Sequence, residues 1–114
     1  MSEYIYKIVP QDLWSAAKRK GVFEGAAIDL EDGYIHFSTA QQVAETAALH
    51  FAGKTDLLLV AVETEALGDS LRYEPSRGGA LFPHLYGVLP MHCVAWERPM
   101  PLGADGKHLM PDIK

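Results

Sequence analysis

The first cluster of side chains that could do chemistry is formed by His36, Ser38 and Thr39, where a predicted strand over 34–37 meets a predicted helix. Thr39 and Gln42 match the capping-box pattern S/T-x-x-E/Q, so we expect the helix to begin directly after Thr39. The free N–H groups and positive dipole of a helix start attract anions, which makes this junction a candidate anion or ribose site. A structural interpretation stays open, in which the hydroxyls only cap the helix and His36 is a core histidine.

Two further polar clusters lie later in the chain. Arg72 and Glu74 alternate along a short predicted strand that Pro75 ends, so both side chains point to one face. His84 and Tyr86 share a side in the same way if their segment is extended. Together these groups could supply a general acid or base, an anion partner and an aromatic platform, provided that the sheet brings them together.

Arg77 stands in a glycine-rich loop over 76–80. The backbone N–H groups of such a loop can form a nest for an anion. The loop lacks the strand-GxGxxG-helix context and the GK[ST] ending of the phosphate-binding motifs, so its signal is weak. If the chain binds a nucleotide or ribosyl ligand, Arg72 or Arg77 is expected to contact its phosphate.

Composition limits the classes of protein. The chain has 114 residues and a formal net charge of −5, and we predict one domain with a core over about 4–98 and a Pro/Gly-rich surface tail over 99–114. The negative charge and the absence of a basic run argue against nucleic acid as a partner. No apolar window approaches the roughly 18 residues of a membrane span, and no signal peptide is found, so a soluble, cytoplasmic protein is expected.

Metal and thiol chemistry are not expected. The five histidines show no HExxH or other ligand spacing. The single cysteine, Cys93, excludes an internal disulfide, and its apolar neighbours in a predicted strand indicate that it is buried. Ser38 has no G-x-S-x-G elbow around it, so it is not expected to be a serine nucleophile.

The elements that must position the polar clusters follow from hydrophobic periodicity and from glycines and prolines. The apolar run over 57–62 is flanked by turn signals, which predicts a central strand buried on both faces. The stretch over 21–30 is predicted as a loop with a short extended piece near 27–28. Other expected elements are strands over 4–9, 34–37, 71–74 and 91–98, a helix over 11–20, and a helix between Thr39 and Gly53.

Four segments resemble, in this order, a bacterial family known as domain of unknown function nine-five-two. They are Ile-Tyr-Lys-Ile at 5–8, Asp-Gly-Tyr-Ile-His-Phe-Ser-Thr at 32–39, Leu-Arg-Tyr-Glu at 71–74 and Phe-Pro-His-Leu-Tyr-Gly at 82–87. The resemblance covers roughly residues 4–98. Because that family is grouped by fold with the ADP-ribosyltransferase superfamily, it implies an α+β domain with a split, mainly antiparallel sheet and two principal helices around an NAD-sized cleft.

Enzymes of that superfamily typically carry a His or Arg on an early strand, a Tyr or a Ser-Thr-Ser strand at mid-chain, and a late Glu. The resemblance implies that residues 38 and 39 form part of the Ser-Thr pattern. It also implies that Glu74 is the late carboxylate, which stabilises the oxocarbenium-like centre as nicotinamide leaves. Tyr6 stands on the early strand where a His or Arg is expected, so His36 or His84 would have to supply that group.

The first hypothesis is therefore an ADP-ribosyltransferase-like domain that binds a nucleotide or ribosyl ligand in a cleft, with ADP-ribosyl or related pentosyl transfer as its chemistry if it is an enzyme. NAD is then a candidate substrate, and the sequence identifies no cofactor with certainty. The second hypothesis is a non-catalytic accessory or protein-interaction module, in which the same residues are structural. The expected catalytic residues are His36, Glu74 and His84, and the expected ligand-binding residues are Tyr6, Ser38, Thr39, Arg72, Arg77 and Tyr86.

Overall fold

The computed structural model describes residues 3–111 and 113, and of Arg77 only the backbone. The α-helices in this part of the chain are α1 (Gln11–Lys20), α2 (Ala27–Asp32) and α3 (Val43–His50). Its strands are β1 (Tyr4–Pro10), β2 (Val22–Phe23), β3 (Ile35–His36), β4 (Leu57–Glu63), β5 (Leu71–Pro75), β6 (Leu81–Leu85), β7 (Leu89–Pro90) and β8 (Val94–Pro99). Short 3-10 helices span Thr64–Ser70, Arg77–Gly79 and Met91–Cys93.

The strands form three antiparallel sheets, with the orders β1-β4-β8, β2-β7 and β3-β6-β5. Strand β4 is the middle of the first sheet, and its residues from Leu57 to Val62 are all buried, which confirms the predicted central strand. Helices combined with antiparallel sheets confirm the α+β class. Within the described residues, no helix has the length and apolarity needed to cross a membrane.

Strand β1 contributes to two hydrophobic clusters, one on each face of the first sheet. Ile5 and Val9 belong to one cluster, whereas Tyr6 and Ile8 belong to the other. Lys7 therefore points to the side of Ile5 and Val9, where it is only 6% exposed. A buried ammonium group needs an anionic partner, and the segment after β2 supplies it.

Helix α1 follows β1 directly, as predicted. Gly21 ends the helix in the left-handed conformation with φ 94°, which glycine adopts without steric strain. Trp14 is buried, as expected for a core anchor, and its ring centroid lies 5.5 Å from that of Phe23. Its indole N–H donates to Glu97 on β8, which fixes the helix against the first sheet.

Residues 21–30 do not form the loop that the sequence predicts. Strand β2 pairs with β7 within this stretch, and α2 begins at Ala27, where the sequence predicts an extended piece. The carboxylate of Asp29 closes the first turn of α2 by accepting the N–H of Ala26 at 2.7 Å. Gly33 ends the helix at φ 87° and turns the chain into β3. An acidic side chain inside the first turn thus replaces the Ser or Thr cap that usually marks a helix start.

Helix α3 begins at Val43, later than the sequence predicts. Residues 40–42 form a turn, and Gln42 rather than Thr39 stands at the N-cap position. One half of the expected capping box is present, because the Gln42 side chain accepts the N–H of Thr39 at 3.0 Å. The helix ends at His50, before Gly53. The expectation of a helix start next to Thr39 is therefore wrong by about one turn.

The segment after β8 is not the surface extension expected for 99–114. Met100 is 1% exposed and lies in the same core cluster as Tyr6. Its N–H donates to the carbonyl of Leu57 at 2.9 Å. Met110 and Ile113 pack against that cluster from the surface side. The tail therefore extends the hydrophobic core beyond the last strand.

Candidate functional site

A row of three polar residues crosses the third sheet. The pairing register sets His84 on β6 opposite His36 on β3 and opposite Arg72 on β5. Residues paired in this way point to the same face of an antiparallel sheet. The ring centroids of His36 and His84 are 5.5 Å apart. The register therefore joins one member of each of the three predicted polar clusters.

His84 and Glu74 form a carboxylate–imidazole pair. Oε1 of Glu74 lies 2.8 Å from Nδ1 of His84 and also accepts the hydroxyl of Tyr86 at 2.8 Å. The hydrogen bonds from His84 and Tyr86 lower the pKa of Glu74, and the carboxylate in turn raises the pKa of Tyr86. When Nδ1 donates to Glu74, Nε2 of a neutral ring carries the lone pair that a general base needs. The imidazole itself is buried, because only 3% of the His84 side chain is exposed.

The ring of Tyr34 contacts both imidazoles. Its centroid lies 4.1 Å from that of His84 in a stacked arrangement and 4.6 Å from that of His36. The ring of Tyr86 follows at 5.2 Å from Tyr34, and the Arg72 guanidinium lies 5.3 Å from the centre of the Tyr86 ring. This part of the sheet thus combines two imidazoles, two phenol rings and the exposed guanidinium of Arg72.

Asp29 is the buried anion beneath this face. Nζ of Lys7 lies 3.0 Å from its Oδ1 and 2.9 Å from its Oδ2. Oδ1 also lies 2.6 Å from Nδ1 of His36 and accepts the backbone N–H of His36 at 3.0 Å. Burial alone would raise the pKa of Asp29, but the hydrogen bond with His36, the charge of Lys7 and two backbone N–H groups lower it to about 2. Burial lowers the pKa of Lys7, and Asp29 opposes that shift.

His36 stands between two carboxylates of α2. Nδ1 faces Asp29, and Nε2 lies 2.9 Å from Oδ2 of Asp32. A neutral imidazole can donate only one of these hydrogen bonds, whereas a protonated imidazolium donates both. The Asp29 side chain is buried, whereas that of Asp32 is 40% exposed. One edge of the ring is therefore held in the core, and the other edge is open to solvent.

We call this surface the histidine face. The sequence predicted its members His36, Arg72, Glu74, His84 and Tyr86, and missed Tyr34, Asp32 and the buried pair Lys7 and Asp29. Two signals could have found the missing residues. Tyr34 stands two positions before His36 and so shares its side of the strand. Lys7 is a cation between apolar residues of a strand, which indicates a buried ion pair.

Tyr6 and Ser38 do not join the histidine face. Strand β3 ends at His36, and Ser38 instead forms a bridge with Tyr6 on β1 through two backbone hydrogen bonds of 2.8 Å. The Ser38 hydroxyl lies 3.0 Å from that of Thr46 on α3. The Tyr6 ring is buried, and its centroid lies 5.9 Å from that of the Trp96 ring. Burial raises the pKa of the Tyr6 hydroxyl. Both side chains are therefore parts of the core between the first sheet and α3.

Thr39 lies at a separate surface cavity of about 400 Å³. Tyr4 and Tyr73 line this cavity as well, and Tyr73 points to the side of β5 opposite Arg72. A second cavity, of about 480 Å³, lies at the start of α1. Neither cavity contains a residue of the histidine face. The side chain of Arg77, the remaining predicted ligand contact, lies outside the described part of the structure.

Cys93 is buried, as its sequence context predicts, and burial raises the pKa of its thiol. Its Sγ lies 3.9 Å from the carbonyl oxygen of Ala66. Over residues 3–111 and 113, no group of three or more His, Cys, Asp or Glu side chains is placed to hold a metal ion.

The chain belongs to the family described as "Protein of unknown function (DUF952)", which matches residues 8–97. Its fold is shared by protein CC0527 from Caulobacter crescentus, whose sequence is 51% identical to this chain. The X-ray crystal structure of CC0527 superposes with a TM-score of 0.89, and the match covers 93% of each chain. The solution NMR structure of CC0527 is 52% identical, with a TM-score of 0.83 over 91% of this chain and 90% of that one. No curated protein matches the chain. The family membership predicted from four short segments is confirmed.

Proposed function

We propose that the histidine face binds a nucleotide or ribosyl ligand of the NAD kind. The observation that carries this proposal is the row of Arg72, His84 and His36 beside the rings of Tyr34 and Tyr86. Flat rings stack on a base, guanidinium and imidazolium groups attract phosphate, and imidazole nitrogens hydrogen-bond ribose hydroxyls. The face therefore offers a partner to each part of such a ligand.

The proposed chemistry is transfer of an ADP-ribosyl or related pentosyl group. The bond between ribose C1′ and the nicotinamide nitrogen breaks, nicotinamide leaves as a neutral molecule, and an acceptor oxygen bonds to C1′. Nε2 of His84 takes the proton of the acceptor, because Glu74 holds the opposite nitrogen of the ring. The negative charge of Glu74 stabilises the oxocarbenium-like centre. With water as the acceptor, the products are nicotinamide and ADP-ribose.

An ADP-ribosyltransferase-like fold is part of the proposal. It is supported by the family resemblance and by the division of the longer strands between two three-stranded antiparallel sheets, which agrees with a split sheet. The bridge between Tyr6 and Ser38 joins these two sheets. A shared fold does not by itself assign chemistry, so the experiment must address the histidine face directly.

An NMR titration of the labelled protein with NAD, ADP-ribose and AMP tests the proposal. We expect amide shifts confined to residues 34–36, 72–74 and 84–86, together with the slow appearance of free nicotinamide from NAD. His84→Gln should abolish nicotinamide release. His92→Gln, which alters an exposed histidine in a 3-10 helix, should leave it unchanged. Unchanged amide positions in these segments at millimolar ligand would contradict the proposal.

A non-catalytic interaction module is the second candidate, and the extent of internal pairing favours it. Both ring nitrogens of His36 and both oxygens of Asp29 already have partners within the chain. In that case His36→Ala lowers the free energy of unfolding by roughly 1 to 3 kcal/mol, because buried Asp29 loses the hydrogen bond from the imidazole. Glu74→Ala is then also destabilising, and neither change alters the binding of NAD or AMP. Loss of AMP binding in a fully stable His36→Ala protein would reject this candidate.

A further inference from the structure

We propose that Asp32 occupies the position of an anionic group of the ligand, and that a phosphate displaces it from Nε2 of His36. This inference rests on the function proposed for the histidine face and names the part of the ligand that His36 recognises. The two carboxylates that flank His36 differ in burial and in pairing. That difference makes only one of them exchangeable.

The Asp29 side of His36 is fixed. Asp29 is 2% exposed and accepts hydrogen bonds from Lys7, from the N–H of Ala26 and from both the backbone and the ring of His36. Separating Asp29 from these donors would leave a buried charge without compensation, so this contact persists when a ligand binds. Asp29 thereby holds the ring with Nε2 directed away from the core.

The Asp32 side of His36 is exchangeable. Asp32 is the last residue of α2. Among the described residues, its side chain has one hydrogen-bond partner, Nε2 of His36 at 2.9 Å. Exposed ion pairs of this kind are weak, because water and salt screen both charges. A phosphate offers His36 an acceptor of the same kind with a greater charge. Exchange of Asp32 for phosphate therefore retains the hydrogen bond of the ring.

The other end of the row supports a phosphorylated ligand. Arg72 is exposed, its guanidinium lies over the Tyr86 ring, and its charge contributes to the lowered pKa of Glu74. His36 and Arg72 thus place hydrogen-bond donors on both sides of His84, next to the rings of Tyr34 and Tyr86. A phosphorylated nucleoside can use the donors and the rings together, whereas an unphosphorylated nucleoside can use only the rings.

Binding of AMP, adenosine and inorganic phosphate to the wild-type protein, Asp32→Asn and Glu31→Gln tests the inference. Glu31 is exposed and adjacent to Asp32, so its substitution removes the same charge from the same helix. Affinities are measured by NMR from the His36 ring carbons, at a pH at which those carbons show a protonated ring in all three proteins. We expect Asp32→Asn to bind AMP and phosphate about two- to fivefold more tightly than the wild type, which corresponds to the loss of one exposed ion pair. Glu31→Gln should match the wild type.

Several outcomes separate this inference from the proposed function. An equal gain in both variants, or no gain in Asp32→Asn, would overturn the inference. If phosphate shows the expected gain but AMP binds no more tightly than phosphate, the anion position is supported and the nucleotide part of the proposed function fails. If adenosine binds as tightly as AMP and Asp32→Asn changes neither, the nucleoside site is supported and the inference fails.

Discussion

Oδ1 of Asp29 lies 2.6 Å from Nδ1 of His36, and the same carboxylate pairs with Lys7 on β1. These partners are 7 and 22 residues away from Asp29 in the sequence. The contacts join α2, β3 and β1 at one buried point. Strand β3 contributes only Ile35 and His36 to the third sheet, so its own pairing is short. The histidine face is therefore held in place by a charged network in the core as well as by its strands.

Substitution of Asp29 should destabilise the protein more than substitution of its cationic partner. Asp29→Ala leaves Lys7 charged and buried without a partner, and we expect a loss of about 3 kcal/mol in the free energy of unfolding. Lys7→Met leaves Asp29 with the His36 ring and two backbone N–H groups as partners. The free energy of unfolding should therefore fall less in Lys7→Met than in Asp29→Ala. Urea denaturation measures both values. Asp29→Ala with a loss no larger than that of Lys7→Met would show that the network does not stabilise the fold in this way.

Acid should weaken the fold through Asp29. Its pKa is about 2 in the folded protein and 3.8 in the reference state, so the folded state binds its proton less readily than the unfolded state. This contribution, roughly 2 kcal/mol, is fully present above about pH 4 and is lost as the pH falls through about 2.

Urea denaturation as a function of pH measures this contribution, with Asp29→Asn as the reference, since the variant has no carboxyl group to titrate at position 29. We expect the difference in the free energy of unfolding between the two proteins to shrink by roughly 2 kcal/mol between about pH 5 and about pH 2. Parallel stability curves over that range would contradict the assignment of this acid sensitivity to Asp29.

The phenol of Tyr86 should titrate differently once Glu74 is neutralised. The hydrogen bond to Glu74 raises the pKa of Tyr86, with burial and the Glu74 charge acting in the same direction. Glu74→Gln should therefore lower the pKa of Tyr86, which the ring carbon shifts report in an NMR titration at high pH. Tyr73 serves as an internal control, because burial and Glu3 raise its pKa and Glu74 does not. A Tyr86 titration that stays the same in Glu74→Gln would exclude the hydrogen bond seen in the structure.

Gly25 should tolerate a methyl group less well than Gly21. A Cβ at Gly25 would lie 2.9 Å from Cβ of Asp29, whereas one at Gly21 would meet no atom within 4 Å. Both residues have positive φ, so the backbone strain of about 1 kcal/mol is common to the two substitutions. Gly25→Ala should therefore lower the melting temperature clearly more than Gly21→Ala does. Equal shifts would mean that Asp29 moves aside without loss.

Alternation along extended segments predicted a large part of the histidine face. Arg72 and Glu74 share one side of β5. His84 on β6 and Tyr86 in the bend after β6 both contact Glu74, so they lie on one side as well. The two pairs meet at Oε1 of Glu74, as the sequence allowed. Residues two positions apart in a continuous extended segment are oriented by local backbone geometry alone, so their common side needs no tertiary information.

Ser38, which the sequence predicted to lie with His36 at one junction, does not join the histidine face, and no local rule finds Asp29. Ser38 stands two positions after His36, but β3 ends at His36 and the chain crosses to Tyr6 on the first sheet. Asp29 lies in a stretch rich in small residues, whose helix depends on hydrogen bonds to its own carboxylate and on partners far away in the chain. Strand ends and buried ion pairs are decided by tertiary contacts, which the order of residues does not reveal directly.

The burial of Met100 bears on where an autonomously folding fragment can end. The family match covers residues 8–97, whereas β1 pairs with β4 from Tyr4 onward and Met100 fills the core beside Tyr6. A fragment trimmed to the limits of the match would lose half of an outer strand and the methionine that closes one side of the core. The shortest fragment of this protein that can fold on its own is therefore longer than the segment that matches the family.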